Sequence, residues 1–397
     1  MYHLTKKRLL LDLYKAFYDA KKHKSNKSYV LKFEKDLHNN LTKLRDQLWE
    51  QTYEPKPSTC FIIDYPKKRE IFAAEFVDRI VHHLYFNYTH ELYERTFIYD
   101  SYSCIKNKGT HFGIDRLKHH IRSESLNYTR TCYVLKLDIR GYFININREK
   151  LYNIVINQLN KMKTREYDNN TKKKTWADII DFDFIEYLSK KILLLDPTKK
   201  AIIIGKKEDW DGLDFYKSLF NTNGLCGLPI GNLTSQLSSN IYLNLLDQFI
   251  KRILKCKHYG RYVDDFYIVS HNKEFLLSII ELINDYLKTE LELDINLGKT
   301  KIINIKNGVE FLGSYIKPYR TYISNTSFKR IQDRLWKFRN YKNLEENYIY
   351  SSVNSLLGVL QHYNSYNIKK ELFNKQHNIK HIGLYEKYYQ KLLKYTG

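Results

Sequence analysis

This chain of 397 residues has little proline, methionine or cysteine, with 6 Pro, 2 Met and 5 Cys. The cysteines Cys60, Cys104, Cys132, Cys226 and Cys256 include no Cys-x-x-Cys pair, so neither a zinc site nor a disulfide framework is indicated. No run of about 18 apolar residues occurs, and the first residues lead into a charged stretch instead of an apolar signal core. These absences predict a cytoplasmic protein that is neither exported nor bound to a membrane.

Acidic residues are fewer than basic ones. The chain has 44 Asp and Glu against 66 Lys and Arg, which gives a net charge of +22. The 35 Tyr residues and the 15% aromatic content exclude a disordered chain. Basic charge interleaved with aromatic rings favours phosphate contacts and base stacking, so nucleic acid is the expected partner. Biased coding composition could produce the same charge, so charge alone leaves this partner open.

The length predicts two or three closely packed subdomains. Residues 1–52 have apolar positions at helical spacing among lysines, which predicts a basic N-terminal region of two helices. Residues 53–320 alternate strand and helix patterns and form the expected central domain. Residues 321–397 are predicted to form a helical lobe, because helical spacing is expected to continue from Gly313 to the end.

Residues 160–223 are predicted to be an insertion within the central domain. The segment is polar and Lys-rich at first, over residues 169–174, which is typical of an exposed loop. We therefore expect weak order there.

Two carboxylate motifs occur at apolar strand patterns that are far apart in the sequence. Cys132–Ile139 predicts a buried strand that contains Asp138, and His258–Ser270 predicts a strand, a tight turn and a second strand around Asp264 and Asp265. If these strands pair, the three carboxylates meet at one edge of a sheet, where their hard oxygens suit Mg²⁺. An Asp-Asp pair taken alone is more often a solvated turn.

The segment Arg261–Phe266, read with Asp138–Phe143, resembles the Tyr-x-Asp-Asp signature of reverse transcriptases and their preceding aspartate motif. The resemblance covers roughly residues 55 to 370. It implies an α+β right-hand polymerase with fingers, a palm of antiparallel sheet and helices, and a helical thumb. It also implies catalysis by Asp138, Asp264 and Asp265 with two Mg²⁺ ions, for which Mn²⁺ can substitute, and it places Ile139 among the metal-binding positions.

The same resemblance implies a set of nucleotide-binding residues. A cationic fingers strand, in which Arg can grip a triphosphate bidentately, is similar to the sequence at residues 67–71. In the family the first aspartate opens a turn that holds the triphosphate, and the aromatic residue five positions later excludes a 2′-hydroxyl. Ordinary core packing is the alternative explanation for that aromatic residue. The implied residues are Lys68, Arg69, Arg140, Gly141, Tyr142, Phe143, Gly231 and Lys299.

The segment Gly227–Gln236 resembles the loop and helix that contact the template base in this family. Most retroviral and intron enzymes have Gln before the second glycine and Pro after the serine, whereas this chain has Ile230 and Gln236. This variant is most similar to the reverse transcriptases of diversity-generating retroelements. It predicts low fidelity, particularly at template adenine. The implied template and primer residues are Ser103, Ile230, Ser235, Gln236, Tyr262, Phe311, Leu312 and Gly313.

The resemblance predicts an RNA-directed DNA polymerase whose partners are an RNA template, a DNA or RNA primer and deoxynucleoside triphosphates. Related bacterial enzymes act in antiphage defence with a noncoding RNA, so such an RNA or an accessory protein is a further expected partner. A catalytically silent RNA-binding scaffold remains an alternative, which the intact aspartates disfavour. An RNA-dependent RNA polymerase is disfavoured because Phe143 would clash with a ribonucleotide.

Overall fold

The computed structural model describes residues 4–65, 67–167, 174–340, 344–374 and 382–394. It divides into two compact units. The first unit comprises residues 1–109, 136–268 and 274–300, and the second comprises residues 110–135, 269–273 and 301–397. No helix in the described part of the chain is long and apolar enough to span a membrane.

Helices and strands are interspersed along the chain, often as runs of two to four elements of one kind. The helices are α1 (Lys6–Lys21), α2 (Ser28–Glu34), α3 (Leu37–Trp49), α4 (Phe76–Glu94), α5 (Thr110–Glu124), α6 (Tyr142–Asn145), α7 (Arg148–Lys163), α8 (Phe182–Leu193), α9 (Leu233–Gln248), α10 (Lys273–Leu291), α11 (Asn325–Asn340), α12 (Glu346–Gln361) and α13 (Tyr366–Asn374). The strands are β1 (Thr59–Ile63), β2 (Arg69–Ala73), β3 (Tyr133–Asp138), β4 (Ile202–Ile203), β5 (His258–Tyr262), β6 (Asp265–Ser270), β7 (Lys301–Asn304), β8 (Val309–Phe311), β9 (Ser314–Lys317), β10 (Arg320–Ile323), β11 (Gly383–Tyr385) and β12 (Leu392–Lys394). This mixture, with its antiparallel pairs, confirms the predicted α+β class.

The N-terminal region contains three helices, so the prediction of two was wrong by one. The Thr5 side chain caps α1 by accepting a hydrogen bond from the backbone N–H of Arg8 at 3.2 Å. The apolar face of α1, including Leu9, Leu13 and Phe17, is buried, and α1 packs on α3 and α4. The helical pattern was correct, but two short helices, α2 and α3, share the remaining apolar positions.

A small sheet has the strand order β2-β1-β4, in which β4 comes from the predicted insertion. β1 and β2 are antiparallel, and their register places Cys60 opposite Phe72, both of them buried. β2 begins at Arg69, so the cationic residues lie at a strand end as predicted.

The central sheet has strand order β5-β6-β3-β7. β5 and β6 form the predicted hairpin, joined by the two-residue turn at Val263 and Asp264. Gly260 on β5 is required by packing, because an added Cβ would collide with the hydroxyl of Tyr102 and lie 2.7 Å from that of Tyr267. Those two hydroxyls share a 2.8 Å hydrogen bond. The hairpin is therefore held by backbone pairing and by a buried polar contact.

The predicted insertion, residues 160–223, is not only an exposed loop. Within it, α8 buries Phe182, Ile185 and Leu188 and packs against α7 and α4. These residues recur every third position, a helical period that the lysine-rich start of the segment obscured. Of the lysine-rich residues, 169–173 lie outside the described residues.

The second unit has its own core. Ile331, Leu335 and Phe338 of α11 are buried with Val353 and Leu357 of α12. The predicted helical spacing of α11 is confirmed. The prediction that the chain is helical from Gly313 to the end holds only in part, because β9 and β10 pair as an antiparallel hairpin before α11, and β11 pairs with β12 after α13.

Candidate active site

The turn between β5 and β6 carries Asp264, and Asp265 is the first residue of β6. Val263 at the first position of the turn has φ of 58°, a left-handed conformation that is rare for a β-branched residue. Such strain persists only where surrounding contacts enforce it. One of these contacts is a 3.0 Å hydrogen bond from Nη1 of Arg261 to the Val263 carbonyl oxygen.

Arg261 is itself fixed by a buried network. Its side chain is fully buried and donates to Asp247 of α9 twice, from Nε at 2.8 Å and from Nη2 at 2.6 Å. Nη1 also donates to Oδ1 of Asn240 at 3.1 Å, and Tyr259 donates to Asp247 at 2.5 Å. Because two fully buried charges pair with good geometry, α9 and the aspartate hairpin are tied together.

Asp138 ends β3, the strand beside β6 in the sheet. Its carboxylate accepts a 2.7 Å hydrogen bond from Nζ of Lys299 and a 3.4 Å hydrogen bond from Nδ2 of Asn296. Lys136 lies two residues earlier on β3, and its Nζ is 3.4 Å from Oδ1 of Asp265. Two lysines therefore neutralise two of the three carboxylates.

The aspartates perturb one another electrostatically. Burial raises the pKa of the Asp264 carboxyl to about 6, and the charge of Asp138 adds to this rise. Burial also raises the pKa of Asp265, where Lys136 opposes the shift and Asp138 adds to it. β6 lies beside β3 in the sheet and Lys136 of β3 approaches Asp265, so Asp138 lies at the end of the strand next to the hairpin that carries Asp264 and Asp265.

The donor chemistry of this site fits Mg²⁺. Three carboxylates offer hard oxygen ligands, and their mutual repulsion is what a divalent cation would relieve. Among the described residues, however, no three His, Cys, Asp or Glu side chains are arranged as a metal-holding cluster. To hold an ion, Asp138 and Asp265 would have to exchange their lysine partners for it. Ile139 has no polar side-chain atom, so this residue offers an ion only its backbone carbonyl oxygen.

The turn after Asp138 holds several residues of the predicted nucleotide site. Gly141 has φ of 56°, a left-handed conformation that glycine adopts without a steric penalty. The guanidinium of Arg140 stacks on the ring of Tyr216, 4.6 Å from its centroid. Tyr142 is buried and donates to the Ser239 carbonyl at 2.6 Å, so its side chain serves the core. Phe143 is partly exposed beside Tyr142.

The fingers cations occupy two different environments. Nζ of Lys68 donates to the backbone carbonyl of Asp211 at 2.6 Å and lies 3.4 Å from the Asp64 carboxylate. Arg69 is exposed at the start of β2. Gly231, with φ of 124°, approaches β2 so closely that an added Cβ would lie 3.4 Å from Ile71. The predicted template loop thus packs on the fingers strand.

The predicted template residues differ in exposure. Ile230 and Tyr262 are partly exposed, and Gln236 is exposed on the first turn of α9, where it accepts a hydrogen bond from Cys104. Ser103 and Ser235 are buried. The Ser103 carbonyl accepts a 2.8 Å hydrogen bond from Asn240. Ser103 therefore contributes to the network around α9 and the hairpin.

Phe311, Leu312 and Gly313 belong to the second unit. Phe311 is fully buried, and both Leu312 and Gly313 have positive φ, at 48° and 83°. The Gly313 carbonyl accepts a hydrogen bond from the Ser324 backbone N–H at 2.9 Å. The structure thus shows a tight turn between β8 and β9 at the predicted primer grip.

Sequence reasoning missed three residues of the site. Lys136 could have been found, since residues two apart on a strand share a face and Lys136 precedes Asp138 by two. Asn296 and Glu70 gave no local signal. Asn296 donates its backbone N–H to the Asp138 carbonyl at 2.7 Å, and Glu70 accepts hydrogen bonds from residues about 140 to 150 positions away.

Comparison with known proteins finds several proteins that are similar to this chain. A 25% identical relative, the putative COX1/OXI3 intron 2 protein of Saccharomyces cerevisiae, matches 77% of this chain, which spans only 37% of that protein. Protein YkfC of Escherichia coli is 24% identical over 68% of this chain and 69% of its own length. A structure of apo telomerase from Candida tropicalis aligns over 84% of this chain and 64% of that one, with 12% identity and a TM-score of 0.47.

The family comparison covers the whole site of the first unit. The model of the reverse transcriptase (RNA-dependent DNA polymerase) family matches residues 55–316, about two thirds of the chain. The match includes all three aspartates, both lysines that pair with them and the template loop. On this evidence the chain belongs to the reverse transcriptase family.

Proposed function

We propose that this protein is an RNA-directed DNA polymerase that makes cDNA by two-metal nucleotidyl transfer. The observation that carries this proposal is the placement of Asp138 at the end of β3, the strand beside β6, which begins at Asp265 directly after Asp264. Family membership supports the same reaction. The +22 charge suits binding to an RNA template and a primer.

In this proposal Asp138, Asp264 and Asp265 would hold two Mg²⁺ ions, and the Ile139 carbonyl would offer a further oxygen ligand. The ions would activate the primer 3′-hydroxyl and neutralise the incoming triphosphate. Lys299 donates a hydrogen bond to Asp138, and in this proposal its Nζ would supply a proton to the leaving pyrophosphate. Lys68, Arg69 and Arg140 supply positive charge to the phosphates.

Sugar selection is assigned to Phe143. Its ring is partly exposed next to the turn of Arg140 and Gly141, while its carbonyl oxygen accepts a 2.7 Å hydrogen bond from the backbone N–H of Leu228. This bond fixes the backbone of Phe143 against the template loop. A rigid aromatic ring beside the sugar leaves no room for a 2′-hydroxyl, which favours deoxynucleotides.

The biological role that we propose is error-prone cDNA synthesis in a diversity-generating retroelement. Ile230 supports it, because an apolar side chain takes the place of an amide next to the templating base, and Ile230 is partly exposed in the structure. An apolar contact checks base-pair shape less strictly than a buried hydrogen bond does. Sequencing cDNA copied from a defined RNA tests this role. Rare errors spread evenly over the four template bases would contradict it and favour the defence role.

Primer extension tests the proposed chemistry. Purified protein is incubated with Mg²⁺, four deoxynucleotides and a primed RNA template, beside an Asp264→Ala, Asp265→Ala double variant. We expect extension by the wild type and a loss of at least about a thousandfold in the variant, since removing catalytic groups that act together costs several powers of ten. An Asp285→Ala variant, changed on the exposed surface of α10, is the matched control. Equal extension by the double variant would refute the assignment.

A further inference from the structure

A buried carboxylate on the fingers sheet anchors a long segment of the predicted insertion. Glu70 of β2 is 3% exposed and accepts three hydrogen bonds of 2.7 Å, from Nε1 of Trp210, Oγ of Ser218 and the backbone N–H of Leu219. We call residues 205–221 the strap. Three neutral donors satisfy this carboxylate at two separate places on the strap, so the strap is fixed to β2.

The strap in turn contacts the residues that sequence reasoning assigned to the incoming nucleotide. Its Asp211 carbonyl accepts a hydrogen bond from Nζ of Lys68, and its Tyr216 ring lies under the guanidinium of Arg140. The carbonyl oxygen of Tyr216 also approaches Gly141, 3.4 Å from where a Cβ would stand. The strap therefore connects the fingers cation with the turn that follows Asp138.

These contacts fix the two cations without using up their hydrogen bonds. An ammonium has three N–H donors, so Lys68 retains donor capacity beyond its bond to Asp211 and its approach to Asp64. A guanidinium stacked on a ring uses its face, and its N–H groups remain in the plane to grip an oxyanion. Holding long, flexible side chains in place before binding lowers the entropy cost of gripping a triphosphate.

We propose that Glu70 is a positioning residue for deoxynucleotide binding, acting through the strap on Lys68 and Arg140. This inference rests on the proposed polymerase function. Glu70 does not touch the nucleotide in this scheme. Its carboxylate holds the strap, and the strap holds the two cations at the phosphate site.

Steady-state kinetics of primer extension test the role of Glu70. Glu70→Gln keeps the size of the side chain but replaces one carboxylate oxygen with an NH₂ group. This NH₂ group then faces a hydrogen-bond donor of the strap and cannot accept from it. We expect KM for deoxynucleotide to rise about tenfold while kcat changes less than about twofold, because ground-state binding is lost and the aspartates are untouched. Tyr216→Ala should raise KM about threefold, whereas Tyr216→Phe keeps the stacking ring and should match wild type.

A double variant separates positioning from general loss of structure. If Glu70 acts through Lys68, then Glu70→Gln should raise KM much less in a Lys68→Met background than in wild type, because the two changes are coupled. Trypsin cleavage at the exposed Lys206 and Lys207 should be faster in Glu70→Gln, which reports release of the strap. An unchanged KM in Glu70→Gln, or effects of Glu70 and Lys68 that simply multiply, would overturn the inference.

If the proposed polymerase function is wrong, the experiments give a result that differs from the failure of the Glu70 inference. A wild-type protein that extends no primer would contradict the polymerase assignment. Equilibrium binding of a Mg²⁺–deoxynucleotide complex to that protein would still decide the role of Glu70. A Kd about tenfold weaker in Glu70→Gln supports positioning, and an equal Kd overturns it.

Discussion

Arg261 has the most constrained side chain near the aspartates, because its guanidinium holds both Asp247 and the strained carbonyl of Val263. Arg261→Met should destabilise the fold by about 3–5 kcal/mol, since it leaves the buried Asp247 carboxylate without its partner. Thermal denaturation measures this loss. An Arg261→Met, Asp247→Leu double variant removes both charges and should recover much of the stability. If the single and the double variant unfold at the same temperature, the unpaired Asp247 carboxylate is not the cause of the lost stability.

Asp264 should make metal binding pH-dependent. Its pKa of about 6 lies above the ordinary value of 3.8, so Mg²⁺ must displace a proton when the pH falls below 6. The Mg²⁺ concentration for half-maximal extension should therefore rise about tenfold from pH 7.5 to pH 5, as expected for one competing proton. Extension assays across Mg²⁺ concentrations at each pH measure this. A constant requirement would contradict it.

The same shift has a stability counterpart in the metal-free protein. The folded state holds the Asp264 proton more tightly than the unfolded state does, so the unfolding free energy falls as pH rises from about 3.8 to about 6. The Asn side chain of an Asp264→Asn variant does not titrate, so this variant should lack that contribution to the change of unfolding free energy with pH. Denaturation in a metal chelator at pH 4.5 and pH 6.5 compares the two proteins.

Helix α8 decides whether the segment 160–223 is a loop or part of the core. Leu188 is fully buried against neighbouring helices, so Leu188→Ala should cost about 2–5 kcal/mol of stability. Lys190, two residues later, is exposed, and Lys190→Ala should change stability by less than about 0.5 kcal/mol. Chemical denaturation of both variants tests this. Equal, small effects would mean that the first unit does not depend on α8.

The elements that sequence patterns predicted best were those with strong local signals. β3 was predicted from a short apolar run that ends in Asp138, and the β5–β6 hairpin from strand patterns on both sides of Asp264 and Asp265. The strap was not, because its structure comes from contacts such as Glu70 with Ser218 and Lys68 with Asp211, which join residues over 140 positions apart. Likewise, the pairing of Lys299 with Asp138 depends on which strands become neighbours, which local periodicity does not specify.

For the molecule as a whole, the charge of +22 should dominate nucleic-acid affinity. If four or more phosphates are contacted, affinity for a primed template should fall about a hundredfold between 50 and 200 mM salt. Fluorescence anisotropy at several salt concentrations gives the slope. Affinity that barely changes with salt would mean that the excess basic charge lies away from the nucleic acid.

Gly260, under the hydroxyls of Tyr102 and Tyr267, limits how this sequence can diverge. Any side chain at position 260 meets both hydroxyls, so replacing either tyrosine alone does not make room. In evolution, Gly260 could be replaced only after both Tyr102 and Tyr267 had been substituted. The first of those two substitutions would already break the hydrogen bond between their hydroxyls. Suppressors of Gly260→Ala should therefore arise as paired changes at positions 102 and 267, so that this part of the hairpin can diverge only by coupled substitutions.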